Sequence, residues 1–356
     1  MPWDVEDLAM DRRTFIASAV MSPLLWPNAV AAQSPIPIGD MHFHSFFGES
    51  KFHSRPLGPM LAAGGATLVA WSLVGDLLLV DWKTYKQKVE PKPGEALGWF
   101  ERELGRIKAH CVDQKLKLIA TVTDVDRAVA GEPHIVLAVE GATFMETDPG
   151  HVKHAFDLGV RHLGLVHYIR NTIGDIQTLP YQSRGLTDLG RQVVRECNRL
   201  GMLIDVAHCS PAVVRDVLAI STAPIVSSHG SVVGGAAAAP TAMIWRARQL
   251  PLELARAIAA KGGVVGLWAL TLDIGKSVEA YAQRMTEATE WLGEDHVAFG
   301  TDMNGLGPNA ILSTYAELRG VVDRWQTQRI PETRIRKLAI GNYARVLKAA
   351  MANATR

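Results

Sequence analysis

The sequence predicts an α/β fold, a (β/α)8 barrel of the metal-dependent hydrolase type. Three observations point there. Eight short apolar runs rich in Val, Ile and Leu recur after residue 35. Most are followed by a longer segment of helical periodicity, the alternation that builds a parallel sheet covered by helices. Six of the eight runs end on a His, Glu or Asp, and in a barrel the C-terminal ends of all strands share one face.

The runs, in order, are Ile38–His44, Ala66–Leu73, Ile135–Gly141, Arg161–His167, Met202–His208, Pro224–His229, Gly263–Leu270 and Val297–Asp302. Between them, Leu186–Leu200 places Leu189, Val193, Val194 and Cys197 at helical spacing, with Thr187 and Asp188 as capping candidates and Gly201 as the stop. Pro211–Leu218 and Leu252–Lys261 behave alike, and Gly262-Gly263 ends the latter. The long connection 74–134 is expected to hold a helix near Leu97–His110 and an extra strand at Leu116–Thr121. Residues 36–350 read as one barrel domain, without a linker that would divide them.

Composition narrows the function classes. The 356 residues carry 37 Lys and Arg against 36 Asp and Glu. That balance argues against a nucleic-acid binder, which shows a basic surplus or patch. The three cysteines, Cys111, Cys197 and Cys209, lack C-x-x-C spacing, so a zinc ribbon is excluded and one disulfide stays open. At the N-terminus, Asp11-Arg12-Arg13-Thr14-Phe15-Ile16 precedes an apolar stretch and the small-x-small pattern Ala29-Val30-Ala31. Residues 1–31 therefore read as a twin-arginine export signal, with the periplasm or the exterior as destination. No later apolar run is long enough for a transmembrane helix.

The strand ends carry the chemistry. They are His42-Phe43-His44, Glu140, His167, His208, His229 and Asp302. Residues i and i+2 on a strand share a face, so His42 and His44 can reach one ion. Imidazole and carboxylate suit zinc and related divalent metals. His208 and His229 could hold a second ion, with Glu140 bridging, and such a pair hydrolyses amides, esters or phosphates. A single histidine at a strand end is ordinarily structural, and Asp302 could cap the turn at Asn304-Gly305. The joint pattern separates these residues from that reading. Asp205 falls on the face opposite His208 by strand parity and is read as structural. His53, His110, His134, His151, His154, His162 and His296 are read as surface or packing residues, and Cys209 points away.

With these residues in view, the chain resembles the renal or membrane dipeptidase family of zinc peptidases. The most specific stretch is Gly185–Ser210, GLTDLGRQVVRECNRLGMLIDVAHCS. Supporting stretches are LAVEGA at 137–142, LGVRHLGLVHYIRN at 158–171, APIVSSHGS at 223–231, HVAFGTDMNG at 296–305 and IGNYARVL at 340–347. The resemblance implies a binuclear zinc centre with a bridging hydroxide in a (β/α)8 barrel that hydrolyses dipeptides, and a homodimer. His42 and His44 would bind one zinc, Glu140 would bridge, and His208 and His229 would bind the other. His167 would stabilise the oxyanion and Asp302 would carry the proton. Arg248 would bind the substrate's free carboxylate, with Arg246 as the alternative. Manganese or cobalt can share such ligands.

Two departures stand out. The family's strand 1 pattern is His-x-Asp, and His44 replaces the aspartate. At strand 8, Asn304 stands where the family usually has a second acid. Two further readings follow: a related amidohydrolase acting on another amide, a lactam or an ester, and a barrel that binds ligand without catalysis.

Overall fold

The computed structural model describes residues 35–45, 56–178, 184–233 and 247–355. The export signal read over residues 1–31, His53 and Arg246 lie outside them. Residues 36–356 form one compact unit by themselves.

Eight parallel strands run in chain order around a barrel: β1 (Ile38–Phe43), β2 (Ala66–Val74), β3 (His134–Glu140), β4 (Val160–Gly164), β5 (Leu203–Asp205), β6 (Val226–Ser227), β7 (Val264–Leu267) and β8 (Val297–Phe299). A parallel bridge between Phe43 and Met303 brings the last strand back to the first. The His44 amide donates to the Met303 carbonyl at 3.1 Å, and the Asp302 amide donates to the His42 carbonyl at 3.1 Å. Closure thus occurs at the rim, where three of the candidate site residues sit.

The strands alternate as a barrel requires. On β2, Val69, Trp71 and Leu73 pack outward among helix residues such as Phe100 and Leu104. Leu68 and Ala70 join Val136, Ala138, Leu203, Val226, Val264 and Ala298 in an inner cluster. Tyr343, Leu347 and Ala350 of the C-terminal helix Asn342–Ala352 belong to that inner cluster as well. That helix packs against β1, β5, β7 and β8.

The helices start and stop where the sequence signals them. The helix Asp188–Leu200 is capped by Thr187, whose hydroxyl accepts from the Gly190 amide at 3.0 Å, and ends on Gly201 at φ 75°. Such a cap contributes about 1 kcal/mol, and the glycine adopts the left-handed turn without a Cβ penalty. The helices Pro211–Ile220 and Leu252–Ala260 follow their sequence expectations closely. The connection after β2 holds the helix Glu95–Asp113, as expected, and a short strand, Lys117–Leu118, on β3. It also holds a small hairpin that periodicity did not show, Val80–Asp81 paired with Lys86–Gln87.

Several strands are shorter than their apolar runs. β5 ends at Asp205, and the chain then turns, with His208 at φ 65°. Strand parity therefore stops before His208. Asp205 does not lie on a far face: its carboxylate is within 4.8 Å of ligand atoms of His42 and His229. All three cysteines are buried as free thiols, so no disulfide forms. Among the described residues no helix is long and apolar enough to cross a membrane.

Candidate metal centre

Glu140 is the last residue of β3 and its side chain is buried at the centre of the barrel mouth. Five imidazoles converge on its carboxylate through their Nε2 atoms. Its Oε1 lies 2.9 Å from His208, 3.3 Å from His229 and 3.4 Å from His42. Its Oε2 lies 3.4 Å from His167 and 3.5 Å from His44. The Nε2 atoms of His42 and His44 are 3.0 Å apart, and those of His208 and His229 are 3.1 Å apart. Asp302 joins from β8, with Oδ1 3.4 Å from Nε2 of His44. The structure thus brings together every predicted ligand and both predicted catalytic residues.

The local backbone explains how they meet. The i, i+2 spacing on β1 turns His42 and His44 to one side, as expected. His208 and Asp302 instead reach inward from left-handed backbone, at φ 65° and φ 53°. Non-glycine residues are uncommon there, and such strain concentrates at functional sites. Gly305 makes room for this: a Cβ on it would stand 2.0 Å from Oδ1 of Asp302. Asn304, the departure at strand 8, donates its amide to the His44 carbonyl at 2.7 Å and ties the two strand ends together.

The far ring nitrogens are held from behind. Nδ1 of His44 is 2.8 Å from the Ser72 carbonyl, so it carries the proton and Nε2 keeps its lone pair. Nδ1 of His42 lies 3.1 Å from Oγ of Ser72 and 3.3 Å from Oγ of Ser228. Oγ of Ser228 is also 3.0 Å from Nδ1 of His229. Partners of this kind orient metal-binding histidines. Beneath them, Asp205 accepts from the Ala207 and Ser228 amides, both at 2.9 Å, and lies 3.5 Å from His162.

Burial would raise the Glu140 pKa, but the charges of His167 and His42 and the His208 hydrogen bond hold it well below the ordinary glutamate range. Burial pushes His208 and His229 well below the ordinary histidine value, with Arg248 and neighbouring rings adding to the effect. Burial acts the same way on His44, yet the hydrogen bond to Asp302 and the charges of Glu140 and Asp302 outweigh it and raise the pKa.

This donor set fits divalent metal. A single carboxylate cannot satisfy five rings, whereas cations between the facing nitrogens would pair each lone pair. Three overlapping groups meet the spacing: His42, His44 and Glu140; Glu140, His167 and His208; and His42, Asp205 and His229. The Asp205 oxygens face amides and His162, which leaves that residue a supporting role.

Arg248 is 2% exposed, donates to Oε1 of Gln177 at 2.8 Å and stacks 5.2 Å from the Trp268 ring centroid. Among the described residues no carboxylate pairs with it. Four supporting residues escaped the sequence reading: Ser72, Gln177, Ser228 and Asp76. Asp76 follows β2, one of the two strands whose apolar run carried no candidate, and it lies 2.6 Å from Nδ1 of His167. Searching a few residues past each strand end would have found it.

The family model described as membrane dipeptidase, peptidase family M19, matches residues 65–356. A dipeptidase named verJ from Clonostachys rogersoniana is 30% identical over 176 residues, which is 48% of this chain and 43% of that protein. The chain thus matches less than half the length of that relative. Two solved structures share the fold. The probable dipeptidase PvdM from Pseudomonas aeruginosa has a TM-score of 0.75 at 19% identity, covering 90% of this chain and 96% of the other. A metallo peptidase from Rhodobacter sphaeroides, liganded with a phosphinate mimic of the dipeptide L-Ala-D-Ala, has a TM-score of 0.71 at 21% identity, covering 89% and 100%.

Proposed function

The chain belongs to the membrane dipeptidase family, peptidase family M19, and from that premise we propose that it is a dipeptidase built around two zinc ions. The observation that carries the proposal is the convergence of five Nε2 atoms on the two oxygens of Glu140. His42 and His44 would hold one ion, His208 and His229 the other, and Glu140 both. Bound there, two divalent ions would supply Lewis acidity to a carbonyl and lower the pKa of a water.

The chain's own residues do the rest. Asp302, at the rim, takes the proton of the attacking water and returns one to the leaving amine. His167 faces the centre from β4 and stabilises the oxyanion of the tetrahedral intermediate. Arg248 is a buried guanidinium without an acidic partner among the described residues, an arrangement that favours an anionic ligand. It would pair in bidentate fashion with the free carboxylate of a short peptide. The dipeptide mimic in the Rhodobacter structure supports the same substrate class. Residues 1–31 would direct export by the twin-arginine route, and the protein would act as a homodimer.

One observation favours a second reading. His44 replaces the family's carboxylate, which makes the centre more positive by one charge and motivates another amide, a lactam or an ester as substrate. One experiment separates the two. Metal per chain is measured on protein purified without added metal, and the same sample is assayed on dipeptides, lactams and lactones. Two zinc per chain with chelator-sensitive dipeptide cleavage is the expected result. Two metals with cleavage of lactams or esters alone would replace it by the second reading.

A further inference from the structure

We propose that Trp82 determines specificity, as the open end of an aromatic shelf that receives the side chain of the substrate's N-terminal residue and favours a large apolar or aromatic one; this deepens the dipeptidase reading and rests on His167 facing the scissile carbonyl. Trp82 lies in the connection after β2, in the turn of the hairpin Val80–Asp81 with Lys86–Gln87. In a barrel such connections build the face where the candidate centre lies. The turn is fixed by its own polar groups. The Asp81 carboxylate accepts from the Lys83 amide at 2.9 Å and from the Thr84 hydroxyl at 3.0 Å. The Asp81 carbonyl accepts from the Tyr85 amide at 2.7 Å, and Tyr85 takes left-handed backbone at φ 54°. Leu79, Val80 and Ile169 form a small apolar cluster with Tyr168 packed on it, which pins the hairpin to the chain after β4.

The Trp82 ring centroid lies 6.2 Å from that of Tyr85 and 6.0 Å from that of Tyr168, both edge to face, and 6.0 Å from that of His167. These separations are favoured between aromatic rings. The indole N–H donates to the Leu77 carbonyl at 3.2 Å, which fixes the ring's orientation. Yet Trp82 is 43% exposed, and among the described residues no other aromatic side chain is a large exposed apolar group. An indole fixed by its neighbours and still open to solvent offers contact area at little entropic cost. Its place beside His167 says which part of the substrate reaches it. The Cα of the N-terminal residue is bonded directly to the scissile carbonyl carbon, so that side chain begins beside His167. A long side chain then meets Trp82, and a methyl group falls short of it. The C-terminal residue follows across the amide nitrogen, and its carboxylate is drawn to Arg248.

The test is calorimetric binding of phosphinate mimics of Phe-Ala, Ala-Phe and Ala-Ala to zinc-loaded wild type and Trp82→Ala, with cleavage of the matching dipeptides assayed on the same samples. The wild type should bind the Phe-Ala mimic more tightly than the Ala-Ala mimic. In Trp82→Ala the ratio of those two affinities should fall ~10-fold, the lower end of the scale for an apolar group in a pocket. The ratio of Ala-Phe to Ala-Ala should not change. Trp82→Phe keeps an aromatic face and should restore most of the Phe-Ala preference, which separates a lost contact from a displaced hairpin. Equal losses for Phe-Ala and Ala-Ala overturn the proposal, because a residue that only supports the hairpin or meets the shared ammonium weakens both alike. A loss confined to Ala-Phe overturns it too. So does a wild type that binds no mimic or shows no preference, a measurement that does not depend on a variant folding. If the ratio falls as expected but no dipeptide is cleaved, the shelf stands and the dipeptidase reading falls. If dipeptides are cleaved and the ratio is unmoved, the dipeptidase reading stands and the shelf falls.

Discussion

His42 and His44 reach the centre from the end of β1, whereas His208 and His229 reach it from the chain just past β5 and β6. On the first side, Ser72 holds both rings, its carbonyl 2.8 Å from one Nδ1 and its hydroxyl 3.1 Å from the other. On the second side, Nδ1 of His229 has a serine hydroxyl, while Nδ1 of His208 has no hydrogen-bond partner among the described residues. His208 is held instead by its left-handed backbone. The electrostatics differ in the same sense. Asp302 stands beside His44 and, with Glu140, raises its pKa against burial. Arg248 acts on His208 and His229, where it reinforces burial and lowers theirs. The cradle thus has an acidic side and a basic side, and the two metal positions proposed for it would be chemically unequal.

Removing the group common to both sides should have the largest effect. Glu140→Gln keeps the shape but replaces the shared anion with a neutral amide. Both metals should be lost, and activity should fall by more than ~100-fold, beyond what the loss of a supporting partner costs. Metal analysis beside a dipeptide assay checks this. Retention of both metals would mean that the two sides do not depend on Glu140.

Acidification should separate the two sides. A protonated imidazole cannot ligate, so metal leaves as its ligands bind protons. The raised pKa of His44 places its protonation at higher pH, and the lowered values of His208 and His229 place theirs well below the ordinary histidine value of 6.5. As pH falls, the ion on the His42–His44 side should therefore leave first and the second ion at lower pH. His44→Asp should move the first loss downward, because an aspartate ordinarily titrates near ~3.9. Metal content measured against pH decides it, and simultaneous loss of both ions would remove the inequality.

The smallest effect is expected at the rim of the basic side. Arg248→Ala should raise KM about tenfold for substrates with a free C-terminus, the scale of one charge-assisted hydrogen bond. C-terminally amidated substrates should be affected far less. Equal losses on both would show that Arg248 acts by packing against Trp268.

The strand ends were legible because barrel topology converts a local pattern into a shared location. Each of His42, His44, Glu140, His167, His208, His229 and Asp302 follows an apolar run, and the fold brings those ends to one mouth. The reading went wrong where the backbone departs from its period. Parity carried past Asp205 placed that residue on the wrong face, because the chain leaves the strand there and turns left-handed at His208. The hairpin Val80–Asp81 with Lys86–Gln87 was missed because its strands are two residues each, too short for any period to register.

The sequence by itself determined the eight strands, their order and the residue types at their ends, because periodicity and composition are local properties of the chain. Tertiary structure alone decided which nitrogen each histidine presents, that Glu140 faces all five rings, and that one side of the cradle is acidic and the other basic. The physical reason is distance along the chain. The Nδ1 of His42 depends on Ser72 and Ser228, the orientation of His167 depends on Asp76, and the lowered pKa of His208 depends on its burial and on the charge of Arg248. Those partners meet only in the folded interior, where low dielectric makes each hydrogen bond and charge count.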